Sequence, residues 1–175
     1  MGAVRRALEA GVKCIEHGQL LDEDTIRLAV SKGAWLSLQP FLDDEDANPY
    51  PEGSPNREKQ KLTQAGTDNA YRWAKKHRAK IAFGTDNLYN AAGDARQGAK
   101  LAKLTRWFAP HEVLRMATQD NAQLLALSGE RSPYKGKLGV VAEGALADLI
   151  LVDGEPIANI KLIEDPARNF LVIMK

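Results

Sequence analysis

Apolar and polar positions fall into alternating blocks along the first half of the chain. Val4, Ala7 and Leu8 share one face of a helix predicted over residues 3–10, and Gly11 stands where helices commonly end in a left-handed residue. The apolar run at residues 12–16 predicts a strand. Residues 22–32 read as a second helix, with Asp22, Glu23 and Asp24 in its first turn and Lys32 in its last, the polarity that a helix dipole favours. Gly33 stops that helix, and residues 34–38 are the next strand. A long helix over residues 57–77 and a strand over 80–83 complete a βαβαβ rhythm. Parallel neighbours need a crossover, so the three strands are expected to run parallel.

The rhythm breaks at residues 40–55, where Asp43, Asp44, Glu45, Asp46, Asn48, Pro49, Pro51, Gly53 and Pro55 make a long polar loop. Its acids read as a solvated surface, because nothing in the sequence holds them in a fixed geometry. Further helices are predicted over 94–108, from Pro110 as a first helical residue, and over 120–127, closed by Ser128-Gly129. Beyond Gly129 the pattern changes. Gly136, Gly139 and Gly144 punctuate short segments, and residues 146–152 and 168–174 are apolar strand candidates separated by Pro156, Asn159 and Pro166. The expected organisation is an α/β part over residues 1–130 and a small β module over 131–175.

Charge and composition narrow the function classes. The 24 basic and 23 acidic residues leave a net charge of +1, which argues against nucleic acid or an anionic membrane surface as partner. No apolar run approaches the ~18 residues of a spanning helix. No basic-then-apolar leader opens the chain, so no export signal is expected; the location stays unknown, with the cytoplasm as default. The one cysteine, Cys14, excludes an internal disulfide framework and reads as a small buried hydrophobe.

The candidate chemistry sits at strand ends. Ile81-Ala82-Phe83-Gly84-Thr85-Asp86 is an apolar run closing in a glycine and a carboxylate, as a buried parallel strand looks when it delivers an acid to the mouth of an α/β barrel. Val12 to Gly18 does the same with His17. The three strands would close in Glu16-His17, Leu38-Gln39 and Thr85-Asp86. With neighbouring strands ~4.8 Å apart, the Cα atoms of His17 and Asp86 would lie roughly 9 Å apart. Side chains of that reach can converge on one metal ion, with ligand distances of about 2.0–2.2 Å. By themselves, a His and an Asp at two strand ends also arise by chance. His77 is read as positive charge at a helix C-terminus and His111 as a surface residue of a first turn.

The segment Ala7-Leu8-Glu9-Ala10-Gly11-Val12, leading to Ile15-Glu16-His17-Gly18, resembles the region around the sixth barrel strand of metal-dependent amidohydrolases. The subgroup it is most similar to is the imidazolonepropionase-related and Xaa-Pro dipeptidase (prolidase)-like enzymes. Residues 81–86 resemble their eighth strand. Met116-Ala117-Thr118, Asn121-Ala122, Gly136-Lys137-Leu138-Gly139 and Glu143 to Leu149 are similar to the family's return into its small β-sandwich domain, and Val172 to Lys175 to the start of its closing hairpin. The resemblance covers nearly the whole chain. It implies an α/β fold: the C-terminal part of a TIM (β/α)8 barrel, strands six to eight with their helices, plus part of a β-sandwich. It implies His17 as a metal ligand, Asp86 as metal ligand and proton shuttle, and Asp148 as a structural anchor. Zinc or another divalent metal is expected in the complete enzyme.

A closed barrel takes about 250 residues and at least about 200. The family's first-strand His-x-His pair, its fourth-strand lysine and its fifth-strand histidine have no counterpart here, the three histidines being His17, His77 and His111. The expectation is therefore a C-terminal piece that lacks strands one to five and is inactive alone. The implied reaction is hydrolysis of an amide or peptide C–N bond by metal-activated water, on a small amide or dipeptide substrate. A deaminase of the same superfamily is the nearest chemical alternative. A non-catalytic assembly module is the alternative of another class. Three parallel strands carved from a barrel leave two open edges and a bare inner face, so a homo-oligomer or pairing with the missing barrel half is expected.

Overall fold

Three helices of the first half end in one and the same way, and each ending launches a strand. Helix α1 (Gly2–Glu9) closes with Gly11 N–H on Leu8 O (3.1 Å) and Val12 N–H on Ala7 O (3.0 Å). Helix α2 (Glu23–Ser31) repeats the pattern with Gly33 on Val30 O (2.9 Å) and Ala34 on Ala29 O (2.9 Å). Helix α3 (Pro55–Lys76) repeats it with Arg78 on Lys75 O (3.1 Å) and Ala79 on Ala74 O (2.9 Å). These are paired 5→2 and 6→1 bonds around a left-handed residue. Gly11 (φ 92°) and Gly33 (φ 64°) take it freely, while Arg78 (φ 53°) takes it against the clash of its Cβ. The strands follow: β1 (Cys14–Glu16), β2 (Trp35–Leu38) and β3 (Lys80–Phe83). β1 is two residues shorter than expected because Val12 is spent on closing α1.

The computed structural model describes residues 2–87 and 91–175. The chain divides into two compact units, Met1–Gly84 and Thr85–Lys175. In the first, β1, β2 and β3 form a parallel sheet in that order, with Cys14 opposite Trp35 and Trp35 opposite Lys80. Leu8, Ile26, Ala29, Leu36, Leu38, Ala70, Tyr71, Ala74, Ile81 and Ala82 make the core. All four residues of β2 are buried, so the bare inner face expected from the sequence is not found on this strand. Helix α2 is capped by Asp22, whose carboxylate accepts from Thr25 N–H (2.7 Å) and from Arg5 (3.2 Å); both contacts hold its pKa below the usual carboxylate range.

The polar loop is more ordered than its composition suggests. The Arg57 guanidinium donates to both carboxylate oxygens of Asp43 (3.0 and 3.3 Å), to Glu52 (2.8 Å) and to Gln60 (2.7 Å). Gln60 reaches Asn48 O (2.9 Å) and Gln64 reaches Leu42 O (3.0 Å). One face of α3 thus straps the loop down, and two of its acids, Asp43 and Glu52, though exposed, are held in a fixed geometry. Arg57 holds Asp43 below its ordinary pKa, and Lys61 (2.7 Å), then Arg57, do the same for Glu52.

The second unit is built around shorter pieces. The helix expected over 94–108 is interrupted: α4 (Ala91–Asp94), α5 (Gln97–Ala102) and a 3₁₀ turn (Lys103–Arg106) take its place. α5 packs on the 3₁₀ turn Ile160–Glu164 so closely that a Cβ at Gly98 would stand 1.9 Å from Ile163 O. Helix α6 (Pro110–Arg115) starts at its proline as expected, and Glu112 accepts from Ala109 N–H (2.8 Å). It runs through a π turn (Met116–Asp120) into α7 (Asn121–Leu125), so the short helix near 120–127 is the end of a longer rod. After α8 (Pro166–Asn169) comes the last strand. β4 (Leu149–Val152) and β5 (Phe170–Met174) form their own antiparallel two-stranded sheet, shorter at both N-terminal ends than predicted. No described helix is long and apolar enough to cross a membrane.

Two substitutions test these contacts with signs opposite to helix propensity. Gly66 lies inside α3, where a Cβ would stand 2.1 Å from Gln19 O. Gly66→Ala should therefore lower stability by about 1–3 kcal/mol, although alanine is the better helix former by about 1 kcal/mol. Arg78→Gly should raise stability by about 1 kcal/mol by relieving the left-handed residue. Urea midpoints at unchanged slope read both.

Candidate active site

His17 follows β1 directly and leaves the strand by a sharp change of backbone. Its N–H donates to Ser37 O (3.1 Å), extending the parallel ladder by one rung. Its own backbone is left-handed (φ 57°, ψ 52°) and opens a 3₁₀ turn, Gly18–Leu20, on which α3 packs at Gly66. The imidazole is at the surface, stacked near Phe41 with ring centroids 6.3 Å apart and planes at 18°. Nδ1 lies 2.9 Å from Gln39 Oε1. Behind it, two buried amides interlock. Gln19 Nε2 donates to Gln39 O (3.0 Å) and Gln39 Oε1 (3.3 Å), and Gln39 Nε2 points to Ser37 O (3.4 Å). Gln19 and Gln39 are 2% and 3% exposed. Gly84 gives this cluster room: a Cβ there would press Gln39 Nε2 at 3.2 Å.

Asp86 follows β3 and lies just inside the second unit, where it is exposed and left-handed (φ 52°). Next to it, Asn87 Nδ2 donates to Gly93 O (2.7 Å), and Lys100 donates to Asn87 Oδ1. Three non-glycine residues among those described have positive φ: His17, Arg78 and Asp86. Arg78 is accounted for by its helix ending. The other two are the residues singled out from sequence, each set after the C-terminal end of a strand of one parallel sheet. His and Asp tolerate this conformation better than most residues, yet such outliers gather at functional sites. His17 belongs to the first unit and Asp86 to the second.

His17 suits a metal ion as a single ligand. Nδ1 is engaged with Gln39, which leaves Nε2 as the ring nitrogen that can face an ion. Among the described residues, no three His, Cys, Asp or Glu side chains come together as a metal site. The acidic loop adds none, its Asp43 and Glu52 being committed to Arg57 and Lys61. His77 ends α3 and meets Glu23 (2.7 Å), and His111 is exposed in the first turn of α6, so both keep the structural roles expected of them. Gln39 and Gln19 are what the sequence reading missed. Gln39 was visible as the polar end of β2, but nothing in the pattern pairs it with His17. Gln19 reads only as a turn residue.

Residues 2–174 match the family profile described as "Amidohydrolase family". The chain is 31% identical over 169 residues to a Methanothermobacter thermautotrophicus protein provisionally named an aminohydrolase, which covers 91% of this chain and 36% of that one. It is similar to the crystal structure of a prolidase complexed with N-methylphosphonate-L-proline (TM-score 0.82, 27% identity, 99% of this chain and 41% of that one). It is also similar to that of a Xaa-Pro dipeptidase with methionine bound in its active site (TM-score 0.78, 28% identity, again 99% and 41%). The chain thus spans 36% of the curated relative's length.

Cys14, beside the site on β1, has the chemistry of an inert thiol. It is partly buried and donates to Glu16 Oε1 (3.3 Å). Burial first, then the Glu16 hydrogen bond and charge, push its pKa up to about 12. At pH 8 the thiolate should be about a thousandfold rarer than for an ordinary cysteine near pKa 8.5. An aromatic disulfide reagent should label Cys14 slowly in the native protein and rapidly after denaturation, scored against Cys14→Ser.

Proposed function

The chain belongs to the amidohydrolase family, and from that premise we propose that it supplies strands six to eight of a (β/α)8 barrel and two polar groups of its active site. In this assignment β1, β2 and β3 are the sixth, seventh and eighth strands, and β4 and β5 belong to the small β-sandwich. The proposed reaction of the whole protein is hydrolysis of an amide or peptide C–N bond in a small substrate. The observation that carries this is the pair of left-handed residues, His17 and Asp86, each following a strand of one parallel sheet at its C-terminal end. Active sites of barrels lie at that end.

His17 and Asp86 would hold a divalent metal ion together with groups from the part of the relatives' length that this chain does not span. When bound, such an ion polarises a carbonyl oxygen and lowers the pKa of a water toward about 7. His17 contributes a neutral nitrogen donor on a backbone fixed by the ladder bond to Ser37. Asp86 contributes a carboxylate that can accept the proton of an attacking water and return it to the leaving nitrogen. Water adds to the amide carbon, the C–N bond breaks, and an acid and an amine result. Two structural neighbours, a prolidase and a Xaa-Pro dipeptidase, support dipeptides ending in proline as the first substrates to try.

The test uses the full-length protein. Hydrolysis of a Xaa-Pro dipeptide and zinc content are measured for the parent, His17→Ala and Asp86→Ala. Each substitution should lower kcat/KM by orders of magnitude, because members of such a unit do not act independently. If both variants hydrolyse the substrate at the parent rate, the site assignment is wrong and a non-catalytic assembly role takes its place.

A further inference from the structure

We infer that Gln39, itself oriented by Gln19, is a positioning residue that holds His17 in the Nδ1–H tautomer and so presents the Nε2 lone pair outward.

The direction of every bond in the cluster fixes this. Gln19 Nε2 faces a backbone carbonyl, Gln39 O at 3.0 Å, and must be the amide nitrogen, since an oxygen there would face another acceptor. That nitrogen also lies 3.3 Å from one terminal atom of the Gln39 side chain, which must therefore be the oxygen. The other terminal atom of Gln39 lies 3.4 Å from Ser37 O and must be a nitrogen. Reversing the Gln39 amide would set donor against donor at Gln19 and acceptor against acceptor at Ser37. The oxygen so fixed is the atom 2.9 Å from His17 Nδ1. Nδ1 therefore donates.

Two further observations show that the cluster is built for this orientation. Both glutamines are buried, where an amide facing the wrong way loses bonds it cannot recover from water. Gln19 Oε1 is buried without a hydrogen-bond partner among the described residues, so the Gln19 amide is held by what its nitrogen does and not by its oxygen. Free histidine in water favours the opposite tautomer, with the proton on Nε2. The protein thus reverses an intrinsic preference, and the buried pair of amides is the device that does so.

The tautomer does not depend on what His17 binds. Its consequence, an Nε2 ready to ligate without first losing a proton, rests on the proposed role of His17 as a ligand. The experiment separates the two. Long-range ¹H–¹⁵N correlation spectra of the metal-free full-length protein, recorded at alkaline pH where imidazoles are neutral, distinguish a protonated from an unprotonated ring nitrogen. The His17 signal is assigned by its loss in His17→Asn. The expected result is a protonated Nδ1 and a bare Nε2 in the parent. Gln39→Met, which keeps the volume and removes the acceptor, should shift the population to Nε2–H, whereas Gln39→Glu should keep Nδ1–H. Zinc titration of the same metal-free samples should show Gln39→Met weakened about 10–100-fold and Gln39→Glu much less. A parent spectrum with the proton on Nε2, or a Gln39→Met spectrum unchanged from the parent, overturns the inference. If Gln39→Met fails to fold by circular dichroism, the parent spectrum still decides, and Gln19→Met, which removes the orienting donor, takes its place. If the tautomer moves with Gln39→Met while zinc affinity does not, the inference about Gln39 stands and it is the ligand role of His17 that fails.

Discussion

Two parallel strands cannot be joined by a tight turn; the chain must leave one end of the sheet, cross it and return to the other. In the first unit this constraint is met twice by the same local device. A helix runs back, ends in a left-handed residue with paired 5→2 and 6→1 bonds, and releases the chain into the next strand. Because each crossover returns the chain to the same end, every strand delivers its last residues to the opposite end. His17 and Gln39 arrive beside each other there without any long-range instruction beyond strand direction and the register that pairs Glu16 with Ser37. The site residues of this unit are a by-product of how parallel strands must be wired.

Strand direction brings groups to one end, but it does not aim them. Aim comes from conformations that most residues avoid and from buried polar bonds. His17 turns out of β1 through a left-handed backbone into a 3₁₀ turn, and that turn is pinned because α3 carries a glycine where a carbonyl comes close. The imidazole is then locked by two glutamines that have no water to fall back on. Exposed chemistry on a buried polar support is a common arrangement where geometry has to be kept.

The parts of this structure that could be read from sequence are those governed by local chemistry. Gly11 and Gly33 announce their helix endings, and the acids of residues 22–24 and the proline at 110 announce helix starts. The apolar runs of β2, β3, β4 and β5 announce strands. Arg78 hides its ending, since an arginine in the left-handed role carries no signal of its own. The close packing of α5 was not legible either, because the carbonyl that requires a glycine at 98 belongs to Ile163, more than sixty residues away in sequence. The strap over the polar loop was missed for a similar reason: Arg57 reads as one more charge on a helix until its partners Asp43 and Glu52 are folded against it. At the site, His17 and Asp86 stood out by residue type at strand ends. Gln39 stood at a strand end too, but a neutral amide there is recognised only once its hydrogen bonds have directions.

The sheet register also carries information about time. Cys14 pairs with Trp35, and Trp35 with Lys80, so the two rungs close chain loops of about 20 and about 45 residues. Doubling a loop adds only about 0.6 kcal/mol of closure entropy, but the second crossover must also lay down α3 and its strapped loop before β3 has a neighbour. The β1–β2 pair is thus the natural first partner set in assembly. Since His17 and Gln39 sit at the end of that pair, the bond between them needs only β1 and β2 to meet, whereas the turn that carries Gln19 is pinned when α3 packs on it at Gly66. The shorter crossover thus brings the two side chains together, and the longer one fixes the turn that supports them.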